Sequence, residues 1–107
     1  MELNQYHIVL VNLDPTLGGE IKKTRPCAIV SPDEMNKYLS TIVIVPMTSS
    51  LKKYPTRILT NHNGKKGMLA IDQIRTIDKT RIIKNFGRLT DDEIKKCKET
   101  IKETFVD

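Results

Sequence analysis

The chain is predicted to be mainly β with one C-terminal helix, forming a small, strongly bent antiparallel sheet or SH3-like barrel. Two observations carry this expectation. Five or more short runs rich in Val, Ile, Leu and Thr are separated by clusters of Gly, Pro, Asn, Asp and Ser, the punctuation of a strand-rich chain. Only the C-terminal stretch carries a long helical pattern, and it begins with a complete capping signature. At 107 residues the chain reads as a single domain, 1–107, large enough to bury a core without staples.

Tyr6 to Leu13 is an apolar, β-branched run, predicted as a strand buried on both faces with His7 a packed or edge residue. Asp14-Pro15-Thr16 ends it, and Gly18-Gly19 loosens the next segment, so Asp14 to Thr24 is predicted to be a long loop. Pro26 disfavours helix at the residue before it and so sets Arg25 extended at the mouth of a second strand, Cys27 to Val30. Ser31-Pro32-Asp33-Glu34 reads as a short helix start with Ser31 as N-cap. Thr41 to Met47 is the strongest strand pattern, with Pro46 expected to end its pairing or mark an edge.

Further along, Thr56 to Thr60 and Gly67 to Asp72 read as strands around a polar turn, Asn61 to Gly64, in which His62 is solvated. A short strand at Arg81 to Lys84 leads to a turn at Asn85-Phe86-Gly87. Thr90-Asp91-Asp92-Glu93 is a capping box with acidic residues at the positive end of the helix dipole. The stripe Ile94, Cys97, Ile101, Phe105 is then expected to pack on the sheet.

No apolar run approaches the roughly 20 residues of a membrane span, and the N-terminus lacks a signal-peptide pattern, which reads as a cytoplasmic protein. Cys27 and Cys97 read as packed, reduced thiols, and with only His7 and His62 the sequence offers no zinc cluster. A formal charge of +5 points to an anionic partner, for which nucleic acid is the leading candidate.

Three segments suit such a partner. Lys22-Lys23-Thr24-Arg25 presents an always-charged guanidinium with two lysines behind it, suited to a phosphate. The hydroxyls of Thr48-Ser49-Ser50 either cap the loop backbone or donate to phosphate oxygens. After them, Lys52, Lys53 and Tyr54 set two charges beside an aromatic that either stacks on a base or folds onto the barrel. In Asp72-Gln73-Ile74-Arg75, Asp72 and Arg75 are candidates for an internal ion pair.

Taken together, Leu13-Asp14-Pro15-Thr16, Gly19-Glu20, Lys23-Thr24-Arg25-Pro26, Val43-Ile44-Val45-Pro46 leading to Thr48-Ser49-Ser50, Tyr54-Pro55-Thr56, and Asp72 to Lys79 form a pattern that resembles the MazF/PemK (Kid) toxin endoribonucleases, from about Tyr6 to the end of the chain. The resemblance implies a CcdB-like barrel and a homodimer that cuts single-stranded RNA, usually mRNA, at a short sequence without metal or cofactor. Attack by the RNA's own 2′-OH leaves a 2′,3′-cyclic phosphate and a 5′-OH. Arg25 matches the catalytic arginine and Thr48 the hydroxyl at the scissile phosphate, with Ser49, Asp72 and Arg75 as supporting candidates. Thr16, Glu20, Lys22, Lys23, Lys52, Lys53, Tyr54 and Gln73 are the implied RNA-binding residues. The Asp14–Thr24 loop corresponds to the family's specificity loop, where an acidic MazE/PemI-like antitoxin tail also binds.

In one branch of the family a His in the first loop and an Arg two residues before the matching Asp assist catalysis. Here those positions are Gly19 and Ala70, which leaves the general base open: Asp72 either serves as base or orients Arg25 or Arg75. Two other functions fit a barrel of this kind. One is a non-catalytic RNA-binding module. The other is a CcdB-type gyrase poison, which depends on a C-terminal Trp-Gly-Ile, whereas this chain ends Thr-Phe-Val-Asp.

Overall fold

In the computed structural model, which describes residues 1–106, seven strands form one curled antiparallel half-barrel with a C-terminal helix. In chain order they are β1 (His7–Asn12), β2 (Thr24–Ile29), helix α1 (Asp33–Tyr38), β3 (Thr41–Thr48), β4 (Arg57–His62), β5 (Lys65–Ala70), β6 (Arg75–Asp78), β7 (Ile82–Arg88) and helix α2 (Asp91–Ile101). The strands lie in the order β4-β5-β3-β2-β1-β7, with β6 also pairing β3.

The strands are apolar at both parities because the sheet has a core on each face. Ala28, Val45, Met47 and Leu69 pack under α2 with Ile94 and Cys97. Cys27, Ile29, Ile42 and Ile44 point the other way, against Val9, Val11, Leu13 and Ile77. On β1 the two faces are unequal: Val9 and Val11 are fully buried, while Ile8 and Leu10 are only partly covered.

Pro46 does not end β3. It stands opposite Cys27 of β2, and on the other flank β3 changes partner around it. Residues 41–44 pair β6, whereas Met47 and Thr48 pair Leu69 and Met68 of β5. A proline has no N–H to donate, so it fits the gap between two ladders.

The β4–β5 connection is tighter than predicted. Both strands continue to His62 and Lys65, joined only by Asn63 (φ 53°) and Gly64 (φ 74°). Two central residues with positive φ, in an Asn-Gly pair, make the type I′ turn whose twist matches the strands. The Asn85-Phe86-Gly87 turn is instead a bulge within β7. Val9 pairs Asn85 and Ile8 pairs Gly87, which leaves Phe86 unpaired and Gly87 at φ 108°.

Ser31 is not an N-cap. Helix α1 starts after Pro32 without a side-chain cap. The Ser31 hydroxyl is used across the fold, donating to Asn36 Oδ1 and accepting from the Val43 amide at 3.0 Å. The α2 capping box forms as expected: Glu93 N donates to Thr90 Oγ1 at 3.2 Å, and Thr90 N to Glu93 Oε1 at 2.9 Å. Leu89 and Ile94 share one apolar cluster and staple this end. The predicted stripe stops short, because the α-helical turns end at Ile101 and a π-type turn over Lys102–Val106 leaves Phe105 53% exposed.

Candidate nucleic-acid cleft

Cys27 opposite Pro46 sets Arg25 and Thr48 two residues further along neighbouring strands, at the same end of the sheet. There they line a cleft of about 400 Å³ with Thr24, Pro26, Met47, Ser49, His62, Asn63, Lys65 and Lys66. Its charged lining residues, Arg25, Lys65 and Lys66, are all cationic. Arg25 has no carboxylate partner among the described residues. Its Nε donates to the Lys22 carbonyl at 3.1 Å, which fixes the guanidinium and leaves its outer nitrogens for an anion. Thr48 Oγ1 accepts from the Ser50 amide at 3.3 Å, so its O–H remains available to donate.

The loop between β1 and β2 holds its shape through its own side chains. Asp14 Oδ1 accepts from the Lys23 amide at 3.1 Å and from Thr16 Oγ1 at 3.3 Å, while Glu20 Oε1 accepts from the Leu17 amide at 2.7 Å. Arg81 Nη1 binds the carbonyl of Asp14 at 2.6 Å, and Arg75 Nη1 that of Leu13 at 3.1 Å. Gln73 bridges the loop to the sheet: Oε1 accepts from the Ile21 amide at 2.6 Å and Nε2 donates to the Gly19 carbonyl at 3.1 Å. With both amide heads engaged, Gln73 acts as a latch. Gln73→Ala is therefore expected to speed hydrogen exchange at the Ile21 amide about tenfold, since one hydrogen bond is worth roughly 1 kcal/mol or more.

Asp72 does not pair with Arg75. The 3-10 turn Ile71–Gln73 directs it to Arg57, whose Nε and Nη2 donate to the two carboxylate oxygens at 2.7 and 3.0 Å, and Thr56 Oγ1 adds 2.9 Å. Hydrogen bonding by Arg57 holds the Asp72 carboxyl below its ordinary value. Asp72, Gln73 and Arg75 line a second hollow of about 370 Å³, with Glu20, Ile21 and Pro46, and none of them lines the Arg25–Thr48 cleft.

A depressed carboxyl contributes stability at pH values above about 4 that is lost as the pH falls through its folded value. Asp72→Asn is thus expected to cost about 1–2 kcal/mol at pH 7 after solvent screening, with the gap narrowing as the pH is lowered below about 4, measured by urea unfolding across that range.

Tyr54 is 44% exposed, with Lys52 Nζ 5.5 Å and Arg57 Cζ 5.2 Å from its ring centroid. It rests on Arg57 yet keeps part of its surface open. Lys22, Lys23, Lys52 and Lys53 are exposed on the two loops. Burial pushes the Cys27 thiol up to about 12 and that of Cys97 up to about 11, so neither is a nucleophile near neutral pH.

His62, read from the sequence as solvated, is a lining residue of the cleft, and its ring lies 4.6 Å from that of Phe86, tilted by 59°. β4 and β7 are the two ends of the strand order, so this contact is where the curl of the sheet closes. A partner 24 residues away gives no local signal.

A half-barrel with a carboxylate-free cationic cleft beside hydroxyl side chains has the groups that suit an anionic polymer. The family described as PemK-like, MazF-like toxin of type II toxin–antitoxin system matches residues 4–105, and the chain belongs to it. It is 29% identical over 100 residues to the Endoribonuclease MazF of Staphylococcus saprophyticus subsp. saprophyticus, a match spanning 88% of this chain and 83% of that protein. A crystal structure of MazF from Deinococcus radiodurans superposes with a TM-score of 0.85 at 25% identity, covering 96% of each chain. An endoribonuclease from a mycobacterial species, solved in complex with its cognate antitoxin, has the same fold (TM-score 0.80, 19% identity, 94% of this chain and 92% of that one).

Proposed function

We propose that this protein is the toxin of a type II toxin–antitoxin pair and acts as an endoribonuclease on single-stranded RNA, using the RNA's 2′-OH as nucleophile and no metal. The observation that carries this reading is the unpaired Arg25 guanidinium beside the Thr48 hydroxyl in a cleft without carboxylates. Family membership and the relative named as an endoribonuclease support the same activity.

Because the substrate brings its own nucleophile, the protein must supply donors for the extra charge on five-coordinate phosphorus and for the departing 5′-oxygen. Arg25 stabilises that charge and hydrogen-bonds the departing oxygen. It is not the base, since a guanidinium keeps its proton at any working pH. Thr48 donates to a non-bridging oxygen, with Ser49 beside it. Lys65 and Lys66 on the cleft wall, and Lys52, Lys53 and Tyr54 on the next loop, bind the strand on either side. The latched loop carrying Lys22 and Lys23 lies over the bound RNA. An acidic antitoxin segment occupies the same cationic surface and blocks it by charge mimicry.

The active form is a homodimer, and the protein works in the cytoplasm; among the described residues no helix is long and apolar enough to cross a membrane. The test is incubation of the purified protein with mixed-sequence RNA in EDTA. Fragments ending in 2′,3′-cyclic phosphate and 5′-OH are expected, whereas intact RNA with binding retained would make the chain a non-catalytic RNA-binding module.

A further inference from the structure

The cleft leaves one task unassigned: acceptance of the 2′-OH proton. Asp72 is engaged by Arg57 and lines the other hollow. Glu20 and Asp14 hold loop amides. Among the described residues that line the Arg25–Thr48 cleft, His62 is the only imidazole, the side chain most often used as a general base.

Its position is fixed from three directions. His62 is the last residue of β4 and pairs with Lys65 in the ladder. The Asn63-Gly64 turn closes the hairpin with no slack. Across the closed end of the sheet, the Phe86 ring packs against the imidazole. β5, which carries Lys65 and Lys66, is the strand that pairs Thr48, so hairpin tip and phosphate donors share one rigid ladder. The charged residues that line the cleft with His62 are cationic, Arg25 on β2 and Lys65 and Lys66 on β5, and on β7 Lys84 Nζ lies 5.3 Å from the centroid of the Phe86 ring that packs on the imidazole. The carboxylate that α2 brings to β4, Glu93, is bound by Thr60 and the Asn61 amide.

We propose that His62 is the general base of the cleavage step, taking the 2′-OH proton while Arg25 and Thr48 hold the scissile phosphate. This deepens the endoribonuclease reading and rests on it. The 2′-oxygen-to-phosphorus bond forms as the phosphorus-to-5′-oxygen bond breaks. The 2′-OH proton passes to the imidazole, the departing 5′-oxygen takes a proton from water, and the imidazolium returns its proton to the hydroxide so formed. No net proton is gained or lost.

The test measures single-turnover cleavage from pH 5 to 9 at saturating protein. Its substrate is a short RNA carrying the site found by sequencing the 5′ ends of fragments from mixed-sequence RNA. The wild-type rate is expected to rise with pH across this span and then level off. His62→Gln, and His62→Phe, which keeps a ring against Phe86, are expected to cut about 10²-fold more slowly or worse and to lose that rise. Both are expected to bind an analogue with a 2′-deoxy sugar at the cleavage site as the wild type does. A wild-type rate and pH profile in either variant overturns the assignment, as does a loss confined to affinity. If the wild type itself leaves RNA intact, it is the endoribonuclease reading that fails. If the wild type cuts and the His62 variants match it, that reading stands without His62 as base.

Discussion

Arg25→Ala is expected to lower the single-turnover cleavage rate by about 10²–10³-fold, the usual cost of removing a preorganised donor from a developing anion, while leaving the melting temperature almost unchanged. The stability expectation comes from the contacts: Arg25 makes one side-chain hydrogen bond, to the Lys22 carbonyl, and no ion pair among the described residues. Arg25→Lys keeps the charge but not the planar fork, so only a small part of the rate should return. Thr48→Val removes the hydroxyl at similar volume and is expected to slow cleavage by about 10²-fold. It also deprives the Ser50 amide of its acceptor, at a cost of about 1 kcal/mol. Thr48→Ser restores the donor and most of the rate. These effects should fall on kcat, because both groups act on charge that grows towards the transition state. Wild-type cleavage by Arg25→Ala would move the catalytic centre elsewhere.

What the sequence reveals about this centre depends on how far apart the cooperating residues lie along the chain. Pro26 announces an extended Arg25, and the β-branched run before Thr48 announces a strand end. Two such strands meeting antiparallel are enough to put an arginine beside a hydroxyl. Local spacing fails where a turn redirects a side chain. Asp72 and Arg75, three residues apart, look like an ion pair, but the 3-10 turn swings Asp72 to Arg57, which the β4–β5 ladder sets opposite Ala70. The family resemblance implies Gln73 as an RNA contact, and no local spacing shows that both ends of its amide hold loop backbone 52 and 54 residues away. His62 is the extreme case: among turn residues it looks solvated, and only closure of the sheet brings it to Phe86 and the cleft. Except for β6 (Arg75–Asp78), which the sequence left unassigned, strand existence and the α2 capping box rest on neighbours in sequence and were legible. Partner choice across a curled sheet was not.

Gly67→Ala is expected to damage Thr48 without touching it chemically. A Cβ on Gly67 would lie 2.5 Å from Met47 Cε, 3.2 Å from Met47 Cγ and 2.8 Å from the Thr48 carbonyl oxygen. The Met47 side chain is flexible and can swing away. The carbonyl belongs to the backbone of the last residue of β3, where β5 pairs it through Met68, so the strand end itself must move by a few tenths of an ångström. Overpacking of this kind costs about 1–3 kcal/mol. Displacement of the Thr48 hydroxyl from Arg25 is expected to slow cleavage by a further tenfold or so, since about 1 Å of misplacement can cost 10²-fold. Ile94→Val separates the two effects. It removes one methylene from the core under α2 at about 0.5–1.5 kcal/mol and leaves the strand ends in place. Compared at a temperature where both variants are folded, Gly67→Ala should be slow and Ile94→Val should cut like the wild type. Equal rates in the two would mean that the register of Thr48 against Arg25 does not control the chemistry.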